Sequence, residues 1–181
     1  MTSILPALDG VVTLTFLDLQ EIRFVDAFLG AGVHWKTIRE AHAKAQEILG
    51  PYPFSRGRFV TDGRSIFEDL AHGAARSDAA LVDMVSGQGS FNRIVRSFIA
   101  TLKFSTDGQA DEWWPLGKAR NVVLSPHRSF GQPIVPREGV PTAILAKAYR
   151  AEQSLHHVAR WFEVSERSVR DAVAFEASLA A

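Results

Sequence analysis

The 181-residue chain has no cysteine, no excess charge of either sign and no long hydrophobic run, and each absence closes off a class of protein. Without cysteine there is no disulfide framework, no thiol nucleophile and no thiolate zinc site, so a reducing cytoplasm is the expected setting. Twenty Lys and Arg stand against twenty Asp and Glu, and no global field draws the protein toward nucleic acid, a membrane or an acidic partner. Any such attraction has to be local. No apolar stretch approaches the ~20 residues of a membrane span. Met1 to Asp9 lacks the basic flank and apolar run of a secretion signal, so neither membrane contact nor export is expected. What the chain does have is 46% hydrophobic residues, enough to bury one large core or two small ones.

Groups able to do chemistry are sparse. His156-His157 is an adjacent pair, and adjacent helical residues point apart, with no second histidine at the i, i+4 spacing that shares an ion. The acidic pairs Asp111-Glu112 and Glu68-Asp69 sit beside turns with no nucleophile or histidine at a useful distance. No glycine-rich loop joins a strand to a helix. No catalytic residue, metal or cofactor is therefore expected.

Along the chain, Asp18 followed by Glu21 has capping-box spacing and predicts the start of a first helix, with Ile22, Val25 and Leu29 on its apolar stripe and Phe24 and Phe28 beside it. Gly30-Ala31-Gly32 stops it. A second helix is predicted from His34 to Leu49, burying Trp35, Ile38, Ala41 or His42, Ala45 and Ile48, and Gly50-Pro51 ends it. Asp62-Gly63, flanked by residues 58–61 and 64–67, reads as the two-residue turn of a hairpin. Helix, turn, helix, hairpin is the order of a winged helix-turn-helix. Residues 69–90 carry weak signals, and Leu81 to Val85 fits either a strand or one helical turn. Alternation over Phe98, Ala100, Leu102 and Phe104, then Asp107-Gly108, then Glu112-Trp113-Trp114, predicts a second hairpin, with Asn121 to Leu124 as a third short strand. Residues 125–141 read as an ordered, irregular connection. Three helices follow, the first opening at Pro141 with Ile144, Leu145 and Ala148 as its stripe, the others capped by Ser154 and Ser165. Leu155 to Arg170 has helix-turn-helix spacing, with Trp161 in the core.

The expected fold is α+β and mainly α: a winged-helix-like unit over 1–70, a β-containing segment over 71–124, and a three-helix helix-turn-helix domain over 125–181. In such a unit the second helix enters the major groove while flanking cations meet phosphates. His34, Lys36, Arg39, Arg56, Arg58 and Arg64 are the candidate DNA contacts, because residues 34–64 carry a local excess of cations. Against this, three surplus charges are also what an ordinary solvated face carries. At the C-terminal end Glu163, Glu166, Asp171 and Glu176 cancel Arg167 and Arg170, which favours packing or protein binding there. Trp113 and Trp114 are neighbours on a predicted strand, so they face opposite ways and one needs cover from elsewhere. They join Arg160, Arg167 and Arg170 as candidate partner contacts.

Phe130-Gly131-Gln132-Pro133-Ile134 and Gly139-Val140-Pro141-Thr142, within residues 125–178, resemble the family catalogued as DUF 433. Toward the N-terminus, Phe16-Leu17-Asp18-Leu19, Arg23-Phe24-Val25, Ala31-Gly32-Val33, Ile38-Arg39, Pro53-Phe54, Phe59, Thr61-Asp62-Gly63 and Ile66-Phe67 resemble its VapB-type antitoxin branch. Trp113-Trp114-Pro115-Leu116-Gly117 extends the likeness through the middle. The resemblance implies a MerR-like or winged N-terminal region and an antitoxin that silences a PIN-like ribonuclease toxin and represses its own operon through operator DNA, most simply as a homodimer. The alternative is a protein-binding adaptor without DNA contact.

Overall fold

A computed structural model of the chain describes residues 13–72, 82 and 90–180. Among them are seven α-helices and a two-stranded sheet: α1 (Phe16–Gly30), α2 (Trp35–Leu49), α3 (Phe59–His72), α4 (Ser90–Ala100), β1 (Leu102–Phe104), β2 (Ala110–Trp113), α5 (Thr142–Glu152), α6 (Leu155–Trp161) and α7 (Glu166–Leu179). Short 3-10 turns cover Pro53–Ser55 and Ser129–Gly131. Mainly helical is therefore the observed class. The chain forms two compact units, residues 1–99 with 104–110, and residues 100–103 with 111–181.

In the first unit, α1 begins earlier than Asp18. The Thr15 hydroxyl accepts the Asp18 N–H at 3.0 Å while the Asp18 carboxylate accepts the Thr15 N–H at 2.9 Å. Asp18 is thus the third helical residue of a capping box whose cap is Thr15. The helix stops where expected: Gly32 takes φ 86°, and the Val33 N–H returns to the Phe28 carbonyl. Its buried face differs from the predicted stripe. Phe24, Val25 and Phe28 point inward, and Ile22 and Leu29 are exposed. The reason is the partner surface, an aromatic cluster in which Phe24 stacks on Phe28 and Phe54 at ring-centre distances of 4.5 and 4.3 Å and meets Phe59 and Phe98 edge-on. Phe67 and Phe91 complete it. Rings in such a cluster lie within the 4.5–7 Å range that aromatic pairs favour, or just inside it. On α2, Ile38, Ala41, Ala45 and Leu49 are buried, while Trp35 and Ile48, expected inside, are exposed.

The predicted hairpin at Asp62-Gly63 is instead the interior of α3. The glycine there serves packing, not a turn: a Cβ on Gly63 would lie 2.6 Å from the ring of Phe59 one turn earlier. No wing is formed by residues 58–67. Likewise the alternating run from Phe98 begins as the end of α4, and only Leu102–Phe104 is strand. The Asp107-Gly108 turn is as expected, with Gly108 at φ 80° and the Ser105 N–H donating to Gln109 O. Of the 81–85 segment, only Val82 lies within the described residues, and it is helical.

In the second unit, α5, α6 and α7 pack around Val135, Leu145, Val158, Ala159, Val164, Val169 and Ala172. Ser154 and Ser165 cap α6 and α7 by accepting the N–H groups of His157 and Ser168. Pro141 is the cap of α5 rather than its first residue. The turn between α6 and α7 passes through Glu163 at φ 54°. Residues 121–124 pair singly instead of forming a long strand: Trp113 with Leu124, and Val123 with Ile134.

Candidate functional site

The most organised polar group in the first unit is buried. Glu21 of α1 is 1% exposed, and its Oε1 accepts both the N–H and the hydroxyl of Ser55 at 2.7 Å. Its Oε2 lies 3.2 Å from His42 Nε2 on α2. A carboxylate in a dry interior needs such donors, and this one ties α1, α2 and the Pro53–Ser55 turn together. Serine, histidine and glutamate meet here, yet the serine proton is directed at the carboxylate and not at the imidazole. The arrangement is a structural clamp.

Two of the candidate DNA cations are paired with acids of α3. Arg58 pairs with Asp62 at 3.1 Å and Arg64 with Glu68 at 2.6 Å, each one helical turn along α3. Lys44, the remaining cation of the local excess, reaches Asp69 at 2.7 Å and holds that carboxyl below its usual range by hydrogen bonding. Arg56 Nε donates to Pro51 O at 3.3 Å. His34 is the cap residue of α2, and Lys36 and Arg39 are exposed on its first turns. Of the six candidates, Arg58 and Arg64 are thus held by carboxylates of α3.

In the second unit, one flank of the N-terminal half of α7 meets residues 119–121, while Glu166 and Arg167 stay exposed. Asp171 is buried and accepts the Asn121 N–H at 2.9 Å, with Arg120 Nε at 3.3 Å from its other oxygen. Arg167 Nη2 donates to Ala119 O at 2.6 Å, and Ser168 Oγ accepts from the Asn121 side chain. Arg160 and Arg170 remain exposed.

Trp113 and Trp114 are both half-buried, so neither is the open anchor that strand alternation suggested. Trp113 exchanges both backbone hydrogen bonds with Leu124, and the Trp114 N–H donates to Thr101 O. The open aromatics are others: Trp35 at 51%, Trp161 at 64%, and Phe130, fully exposed at the head of a turn in which Ser129, Phe130 and Gly131 all have positive φ. Trp161 was expected in the core. It faces out because the seven-residue α6 buries only Val158 and Ala159.

Trp35 is the one with a surrounding. Together with Val25, Ile38, Arg39 and His42 it lines a shallow recess of about 20 Å³, room for a methyl-sized group. Val25 is one step along the α1 stripe from Ile22 and Leu29, both more than 40% exposed. An apolar strip thus continues from the recess along α1. Scattered exposed leucines are ordinary, but a contiguous strip containing a tryptophan beside an arginine has the composition of an interface centre. Among the described residues no cluster of three or more His, Asp and Glu is arranged for a metal ion, and no helix is long and apolar enough to cross a membrane.

With this geometry in hand, comparison with known proteins points to a class. No family model matches the chain. Over 167 residues, 88% of this chain and 70% of the relative, it is 28% identical to a Mycobacterium tuberculosis (strain ATCC 25618 / H37Rv) protein named "Putative antitoxin VapB45". The fold is that of the crystal structure of Rv2018 from Mycobacterium tuberculosis, with a TM-score of 0.76 at 28% identity, covering 93% of this chain and 83% of that one. The likeness extends through both units.

Proposed function

We propose that this chain is the antitoxin of a toxin–antitoxin pair and acts by capturing a PIN-like ribonuclease on the outer face of α1 and α2. The similarity to the VapB45 antitoxin over 88% of the chain carries the class. The PIN-like nature of the toxin follows from the family resemblance of the sequence. The exposed strip of Ile22, Leu29 and Trp35 supports the location, because covering it returns about 25 cal/mol for each Å² of apolar surface removed from water. Arg39 at the edge of the recess supplies the polar rim. The test is titration of the chain into a PIN-like ribonuclease encoded in the same operon. Stoichiometric loss of RNA cleavage is expected, and unchanged cleavage in molar excess would overturn the proposal.

The reading favours protein capture over operator binding. Phosphate neutralisation needs several free cations on one face, and Lys44, Arg58 and Arg64 are already paired with carboxylates. The N-terminal half of α7 is engaged with residues 119–121. A mobility shift with DNA from upstream of the gene should therefore be weak and vanish near physiological salt. A shift that persists there would restore autoregulation to the account.

A further inference from the structure

A cleft of about 480 Å³ opens between α1 and α4, within the first unit and distinct from the Trp35 recess. Arg23, Asp26 and Ala27 line it from α1, and Arg93, Ile94 and Phe98 from α4. The volume is in the range of ligand-binding clefts. Ala27, Ile94 and Phe98 are its apolar lining, Ser97 of α4 also faces it, and two of its three charged groups are guanidinia.

The two arginines are differently held. Arg23 lies with its guanidinium carbon 5.0 Å from the centre of the Phe98 ring, and its Nη1 donates to Oε1 of the wholly buried Gln20. The ring and the amide together hold the guanidinium in place. Burial lowers this guanidinium to about 10, the mark of a cation in a poorly hydrated place, where an approaching anion interacts more strongly than in bulk water. Arg93 is exposed on the facing helix and has no ion pair among the described residues. One cation is thus preoriented and the other is free to swing onto a ligand.

From the Arg23–Arg93 pair over the Phe98, Ala27 and Ile94 floor, we propose that the α1–α4 cleft binds an acidic peptide segment of a partner protein, one carboxylate held between the two guanidinia and a neighbouring apolar side chain on the floor. The chemistry selects a peptide over nucleic acid. A phosphate backbone needs a track of cations, whereas this cleft offers two, with Asp26 beside them to repel a second anion. A single carboxylate is what a guanidinium fork matches, and the apolar floor suits a side chain better than a sugar. The proposal goes beyond toxin capture at the Trp35 face and does not depend on it.

The test uses the full chain and isothermal titration with a six-residue peptide of alternating leucine and glutamate, its glutamine counterpart, inorganic phosphate and a short duplex DNA as probes. The acidic peptide should bind, the glutamine version at least about fivefold more weakly, and phosphate and DNA not measurably. Arg93→Ala should weaken peptide binding by about the same factor, Arg93→Glu should abolish it, and Asp26→Asn should strengthen it. Thermal midpoints of these surface variants should match the parent, so a loss of binding is not a loss of fold. Arg23→Lys keeps the charge and a donor for Gln20 but not the fork, and should also weaken binding. Equal binding of the two peptides, preference for phosphate or DNA, no binding of the acidic peptide, or insensitivity to Arg93 and Asp26 would each overturn the proposal.

Discussion

Glu21 shows how one residue organises an element junction. In sequence it is a helical glutamate among polar neighbours, and the natural expectation is a solvated or capping role. In the fold its carboxylate is enclosed by Ser55, 34 positions away, and by His42. Nothing local distinguishes it, because the Ser55 donors that make its burial tolerable come from another element. Replacing Glu21 with Ala leaves the Ser55 N–H without its acceptor, and should lower the unfolding free energy in urea by about 2–4 kcal/mol. A change below ~0.5 kcal/mol would mean the clamp is incidental. Glu163 presents the opposite case. It sits in the turn between α6 and α7 and is an unusual choice there, since φ 54° suits glycine and costs a side-chain-bearing residue roughly 1 kcal/mol. Glu163→Gly should raise the thermal midpoint slightly, with a net gain of up to ~0.5 kcal/mol after the entropy cost of glycine.

At the scale of elements, helix caps and stops were readable because they are local. Ser154, Ser165, Gly32 and Gly50 each act within four residues of themselves. The Asp62-Gly63 hairpin failed because the same dipeptide serves two purposes. In a turn, Gly63 would supply positive φ; in α3 it makes room for the Phe59 ring, which is locked against Phe24, Phe54 and Phe67. The run from Phe98 to Phe104 failed for a related reason. Phe98 and Phe91 face the aromatic cluster at helical spacing, and that burial outweighs the short alternation that follows. Gly63→Ala separates the two roles of the glycine. On helix propensity alone it should stabilise α3 by up to ~1 kcal/mol, but the 2.6 Å approach to Phe59 makes overpacking dominant, with a net loss of about 1–3 kcal/mol by chemical denaturation. A stabilised variant would show that the ring moves aside freely.

For the whole molecule, the mainly helical character and the antitoxin likeness were legible in motifs spread along the chain. The surface proposed for binding was not. Composition points to the adjacent pair Trp113-Trp114, yet backbone pairing of both and the half-burial of their rings engage them in the second unit. The open tryptophans, Trp35 and Trp161, lie on amphipathic helices where periodicity assigns them to the core. Exposure of that kind is decided by what the facing elements leave uncovered, which no single helix encodes. If Trp35 anchors the toxin, Trp161, on the other unit, is the internal control. The direct measurement is the affinity of the PIN-like ribonuclease for the Trp35→Ala and Trp161→Ala variants by titration calorimetry. Trp35→Ala should keep the parent thermal midpoint and lose about 2 kcal/mol or more of binding free energy, while Trp161→Ala should bind within ~0.5 kcal/mol of the parent. Parent-like affinity in Trp35→Ala would contradict the anchoring role.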